Sequence, residues 1–214
     1  MKQLNQTILV FLLIIWSVTT EAQRTFNIGF TGGAARYYPD LDEKFSTSRN
    51  DAMDSGFGFS AGVFIEDSWK PKIHQIIEVN FLSLYSDVLL EYNPVGPGGY
   101  GGGTNQIEWK EFNNASFNYF SISGGLKYFL NDRLFIYPGI EWARALTNEV
   151  DMNKNTYHLK LAAGVNTRIC DIILEYDYGL RTQRRIFDST IPLIGTYRNK
   201  FLQLKVQVPL YRLK

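Results

Sequence analysis

Residues Gly96-Pro97-Gly98-Gly99-Tyr100-Gly101 have the spacing of a dinucleotide-binding glycine turn. That turn works by seating a pyrophosphate on a helix N-terminus directly after a parallel strand. No helix-period pattern follows it here, and no lysine follows to complete a phosphate loop, so the segment reads as a flexible connection. An acid-rich stretch with Asp40, Asp42, Glu43, Asp51 and Asp54 lacks the spaced ligands and central glycine of a calcium loop, and reads as solvated chain. The histidines are His74 and His158, neither with a serine two positions on. A lipid-modifying barrel enzyme would need a nucleophile and a base within hydrogen-bond reach. His158 with a nearby carboxylate is the one combination left open, and a hydrogen-bonded structural histidine is the reading favoured over it. No catalytic, cofactor or metal site is expected.

Two further sets of charges matter. Arg181, Arg184, Arg185 and Arg198 lie together near the last connection and could meet lipopolysaccharide phosphates, because a guanidinium grips such oxygens in a bidentate way; the plainer reading is ordinary loop charge. Glu78, Lys127, Glu141, Lys160, Glu175, Asp177 and Lys205 each fall between apolar neighbours. Their signs are mixed, so together they could form a paired network.

What positions those charges is a period of two. From Asn199 to Lys214, the residues Leu202, Leu204, Val206, Val208 and Leu210 alternate with Gln203, Lys205, Gln207 and Pro209, which describes a strand with one apolar and one polar face. Leu202 to Leu210 matches the roughly 9–11 residues a tilted strand needs to cross a bilayer. Seven earlier stretches carry the same pattern: Thr25 to Tyr38, Gly56 to Asp67, Ile73 to Asp87, Glu108 to Leu130, Leu134 to Leu146, Thr156 to Asn166 and Ile169 to Leu180. Leu82 and Leu84 blur the third. Pro138 stands on the apolar face of the fifth, where a bulge is expected because proline cannot donate to a ladder. Connections alternate, long after the odd-numbered stretches and short after the even ones, with Arg181 to Arg198 as the last long one. Short turns at one end, long loops at the other and an even strand number are the pattern of an outer-membrane barrel. The fold expected is all-β, an eight-stranded antiparallel up-and-down transmembrane β-barrel.

The serious rival is a secreted lipocalin-like carrier, in which the apolar face would line a cavity. The polar face argues against it. That face is rich in small residues (Gly58, Ser60, Gly62, Ser121, Ser123, Gly125, Gly139, Ala162, Gly164), which suit a narrow lumen and not the long charged side chains of a soluble barrel's exterior. Aromatic residues toward strand ends, among them Trp69, Tyr128, Trp142, Tyr157, Tyr178 and Tyr211, suit interfacial girdles. Eight strands leave an interior that side chains just fill, so the charges are expected to plug it.

Lys2, the apolar run Ile8 to Trp16, and Thr20 and Ala22 at the minus-three and minus-one places have the three parts of a secretory signal peptide, with cleavage expected after Ala22. The domain reading is thus 1–22 signal peptide and 23–214 barrel. Cys170 is the single cysteine and has no internal disulfide partner. Lysine and arginine number 22 against 21 aspartates and glutamates, so no basic surface is available for nucleic acid.

The stretches GFSAGVFIE (58–66), IIEVNFLS (76–83), NYFSISGGLKYF (118–129) and ILEYDYGLR (173–181) resemble the PorT-like outer-membrane β-barrel domain proteins of Gram-negative bacteria. Ile122-Ser123 stand where that family commonly carries a proline. The resemblance implies an integral outer-membrane location and no particular activity, although the family's namesake is similar to a part of a protein secretion system. The expectation is a non-enzymatic protein with a structural or surface-interaction role. Outer-membrane lipid and lipopolysaccharide are its surroundings, with a protein partner in the outer membrane or periplasm as a further option. A secretion or transport component, a lipid-modifying enzyme and the carrier are the alternatives.

Overall fold

The structure is a computed structural model that describes residues 25–41, 52–92, 108–146, 154–188 and 193–213. Residues 1–22, read from sequence as a signal peptide, and the glycine-rich stretch at 96–101 lie outside the described residues, as do Asp42, Glu43 and Asp51 of the acidic stretch.

Eight strands form the barrel: β1 (Phe26–Tyr37), β4 (Gly56–Lys70), β5 (Ile73–Tyr92), β6 (Glu108–Phe129), β7 (Leu134–Ala145), β8 (Asn155–Asn166), β9 (Asp171–Asp188) and β10 (Leu193–Leu213). Two short strands, β2 (Asp40–Leu41) and β3 (Ala52–Met53), add to β10 and β5. Each barrel strand is antiparallel to its chain neighbour, and β10 returns to β1 with pairs running from Phe26↔Leu213 to Tyr37↔Phe201. That last ladder removes both sheet edges. A closed ring is the only sheet that leaves no unpaired backbone row to face hydrocarbon.

The tight connections are held by side chains at one end of the ring. Asn131 Oδ1 accepts the backbone N–H of Arg133 (2.9 Å) and of Leu134 (2.8 Å), which reverses the chain between β6 and β7. Thr167 Oγ1 accepts the Cys170 N–H at 3.0 Å and donates to the Cys170 carbonyl at 2.6 Å, doing the same between β8 and β9. We call this the turn end and the opposite one the loop end.

Two expectations need correction. The fifth strand carries no bulge: β7 pairs with β8 in unbroken register through Pro138↔Leu161. On the other side, the ladder to β6 resumes at Tyr128↔Ile136 after Gly125↔Gly139, so the missing proline donor is absorbed as a local gap. A bulge occurs instead beside Pro209, where Ile28 pairs with Tyr211 and Gly29 with Pro209, leaving Leu210 unmatched. Finally, Arg181 to Arg198 is not a loop. Arg181–Asp188 and Leu193–Arg198 are strand, paired as far as Leu193↔Asp188, so the β9–β10 hairpin stands beyond the ring as the β5–β6 hairpin does. At the base of the β5–β6 extension the register shifts between Ser86 and Val88. There Asn114 adopts φ 55°, and its N–H reaches Asp87 Oδ1 at 2.7 Å. Asparagine tolerates that left-handed conformation better than most residues.

The strand period sorts the side chains as expected. Outside, Phe30, Ile140, Leu161 and Leu204 are 56, 58, 62 and 56 % exposed, although each is large and apolar. Inside, Glu78, Lys127, Glu175, Asp177 and Gln207 are fully buried. Soluble proteins bury the first kind and expose the second. This ring is inverted.

Candidate functional site: a layered ionic lumen and a basic outer rim

The lumen is filled in layers. Nearest the turn end, Lys127 Nζ donates to Glu66 Oε2 and to Asp171 Oδ2, each at 2.6 Å, and lies 4.6 Å from the Phe135 ring centre. His74 Nδ1 meets the other oxygen of Glu66 at 2.5 Å, and Asn166 Nδ2 donates to Asp171 Oδ1. A concavity of about 320 Å³ opens here, lined in part by Glu66, His74, Phe129, Cys170 and Asp171. An apolar layer of Phe64, Ile76, Phe135, Tyr137, Ala162 and Ile173 comes next. Several of these rings reach over glycines on adjacent strands: Tyr137 covers Gly125, Phe135 covers Gly164 and Phe64 covers Gly29, each in space that a Cβ would need.

The central layer is ionic. Glu78 Oε2 receives Lys205 Nζ at 2.9 Å, Ser123 Oγ at 3.2 Å, and Lys160 Nζ and Asn80 Nδ2 at 3.4 Å, while Gln207 Nε2 donates to Oε1. Lys160 also approaches Glu175 (3.0 Å), Glu141 (3.3 Å) and Ser123 (3.3 Å). Lys205 reaches Glu175 at 3.3 Å. Glu141 accepts Ser121 Oγ at 3.1 Å and meets His158 Nδ1 at 2.9 Å; the His158 ring packs edge-on against Phe201. Asp177 has Gln203 Nε2 at 3.1 Å and no ammonium within 4.0 Å among the described residues.

Above it, a neutral layer links Tyr37, Tyr119, Gln183 and Asn199. Tyr37 donates to Asn199 Oδ1 at 2.7 Å, and both Tyr119 (2.7 Å) and Asn199 (2.9 Å) donate to Gln183 Oε1. Leu82, Leu84, Val88, Phe117 and Tyr197 close the loop end as an apolar cap. Leu82 and Leu84, which blur the alternation in the sequence, belong to this inward cap.

All seven expected lumen charges therefore point inward, but not into one network. Six share the central layer. Lys127 sits apart, and its partners Glu66 and Asp171 do not appear among the residues picked out from sequence, although both lie on inward-facing positions. His158 is buried in the central layer on a carboxylate, and Ser121 donates to that carboxylate, not to the imidazole. Such an arrangement positions a ring; it does not activate a hydroxyl.

The second candidate is on the outside. Arg198 Nη1 donates to the Tyr178 hydroxyl at 2.6 Å, and Lys200 pairs with Asp40 at 2.6 Å. Arg181 lies 5.6 Å from the Tyr157 ring centre and Arg36 4.4 Å from that of Phe57. The side chains of Arg184 and Arg185 lie outside the described residues. Arg36 and Lys200 escape a sequence reading because they are distant in the chain; the β1–β10 closure brings them together.

No family model matches the chain, and no curated protein matches it. Among solved structures it is similar to the outer membrane protein OprG from Pseudomonas aeruginosa, at 10 % identity over 91 % of this chain and 99 % of that one, with a TM-score of 0.46. It is also similar to Ail, the attachment invasion locus protein of Yersinia pestis, at 13 % identity, 89 % and 100 % coverage and a TM-score of 0.41. Neisserial surface protein A (NspA) follows at 14 % identity, 87 % and 97 % coverage and a TM-score of 0.40. The barrel assignment rests on the strand pairing itself.

Proposed function

We propose that the chain is an integral outer-membrane β-barrel protein of a Gram-negative cell, non-enzymatic, that acts as a structural or surface-interaction protein through its loop end. One observation carries this: a closed ring whose large apolar side chains face out while its lysines and carboxylates are sealed inside. Apolar exteriors of this kind are stable only in hydrocarbon, at about 25 cal/mol for each Å² removed from water. The layered lumen supports a plugged barrel over a pore, and the projecting β5–β6 and β9–β10 hairpins supply surface for recognition. The resemblance to PorT-like proteins fits the same location and brings no activity with it. In this orientation the turn end faces the periplasm, after export on a signal peptide cleaved behind Ala22. Fractionation of cells combined with protease shaving tests the reading. Recovery in the outer membrane with every cut at the loop end and none at the turn end is the expected result. Recovery in the soluble periplasmic fraction would refute it.

A further inference from the structure

The loop-end rim is not electrically uniform. Arg36, Arg181, Arg198 and Lys200 stand on β1, β9 and β10, which are contiguous in the ring, and the one carboxylate paired with any of them among the described residues is Asp40. The rim of β5, β6 and β7 instead mixes signs, with Asp87 and Glu111 beside Lys110 and Arg144.

Each cation of the basic sector rests on an aromatic ring. Arg198 and Lys200 lie 5.6 and 5.7 Å from the Tyr178 centre, Arg181 is over Tyr157, and Arg36 sits between Phe57 and Tyr38. Stacking on a ring face fixes a guanidinium's plane while leaving its edge N–H groups free for an oxygen ligand. Arg36 Nη2 donates to Ser55 Oγ and Arg198 Nη1 to the Tyr178 hydroxyl, so each of these guanidinium groups is also held at one nitrogen by a neutral acceptor. The depth is equally specific. Lys200 precedes Leu202 and Leu204 on the outward face of β10, which are 37 and 56 % exposed. Two residues along a strand span about 7 Å. The cations thus begin where the apolar surface stops.

A row of arginines, aromatic-backed and set against the hydrocarbon boundary on one side of the barrel, matches the phosphate of a lipid headgroup. We propose that the sector formed by Arg36, Arg181, Arg198 and Lys200 is a binding site for a phosphorylated glycolipid of the leaflet at the loop end. This rests on the membrane reading above and adds a ligand class and a location to it. Arg36 and Lys200 join two of the arginines picked out from sequence; the guanidinium N–H groups not given to Ser55 and Tyr178 donate to phosphate oxygens, and Lys200 contributes a point charge beside them.

The test uses the full chain folded into nanodiscs or vesicles. Phosphatidylethanolamine membranes are doped either with bis-phosphorylated lipid A or with the same lipid A after removal of its phosphates, and bound glycolipid per barrel is read by native mass spectrometry. Wild type should retain the phosphorylated form on the order of tenfold better. The triple variant Arg36→Gln/Arg181→Gln/Arg198→Gln should lose that preference, with heat-modifiable gel mobility confirming that it is folded. Lys110→Gln/Arg144→Gln/Lys154→Gln should keep it: the first two are on the mixed sector, and Lys154 precedes β8 beside the end of β7, where its carbonyl accepts the Ala145 N–H at 2.7 Å. Equal retention of both lipids by wild type, or equal loss in the two triple variants, would overturn the site while leaving the barrel reading intact. Failure of wild type to insert into either membrane would overturn both.

Discussion

Replacing Lys160 with methionine removes one ammonium from a place where three carboxylates converge on it, at 3.0 Å (Glu175), 3.3 Å (Glu141) and 3.4 Å (Glu78). Methionine has a similar length and no charge, so packing is largely kept and electrostatics are isolated. Breaking a buried pair by deleting one partner costs about 3–5 kcal/mol, because the other charge is stranded in a poorly solvated place. Lys205 still serves Glu78 and Glu175, at 2.9 and 3.3 Å, so those two keep a counter-charge. Glu141 keeps only Ser121 and His158. The loss should therefore fall near the lower end, at about 3 kcal/mol. At the rim, Lys200→Met breaks a pair whose side chains are 27 and 54 % exposed, and should cost under about 1 kcal/mol. Urea unfolding of the barrel in lipid vesicles, followed by tryptophan fluorescence, gives both numbers. A double-mutant cycle with Glu141→Gln should return a coupling of at least about 1 kcal/mol. A Lys160→Met loss no larger than that of Lys200→Met would refute the claim that the central layer is an energetically connected plug.

Asp177→Asn should leave stability unchanged or raise it in the same assay, since this carboxylate has a glutamine donor and no paired ammonium; Glu78→Gln, which disturbs five donors, should lower it. Leu161→Arg, on the outward face at 62 % exposure, should cost about 2–4 kcal/mol of folding free energy in vesicles. Planar-bilayer recordings should show no stable porin-sized conductance steps, because the lumen is closed by two apolar layers. Cys170, at the turn end, should react with a membrane-impermeant maleimide in opened cells and not in intact ones.

The strand faces were legible from sequence because a period of two leaves no freedom: Ile136, Ile140 and Leu161 must share a side once their strands exist. Depth was not. The expectation grouped Lys127 with Lys160 and Lys205, whereas strand stagger puts it in a separate layer with Glu66, Asp171 and His74. Stagger follows from register between strands, which a single strand's face pattern does not encode. The full length of Glu108–Phe129 was legible as a strand longer than a crossing needs, but the β9–β10 extension was missed for a related reason. Beyond the hydrocarbon a paired strand has no need of apolar alternation, so Arg181–Asp188 read as a connection although its backbone is laddered to Leu193–Arg198. The prolines show how far position decides. Pro138 lies opposite a local gap in the β6 ladder and needs no bulge, while Pro209, inconspicuous on the polar face, has one beside it at the closing seam.

The inverted barrel is tested most directly on β10. In a Cys170→Ser background, single cysteines at each position from 202 to 208 would carry a fluorescent label in vesicles containing a lipid-phase quencher. Positions 202, 204, 206 and 208, whose side chains are exposed on the outer wall, should be quenched, and 203, 205 and 207 should be shielded. Quenching with the opposite parity, or none at any position, would contradict a membrane-embedded apolar exterior.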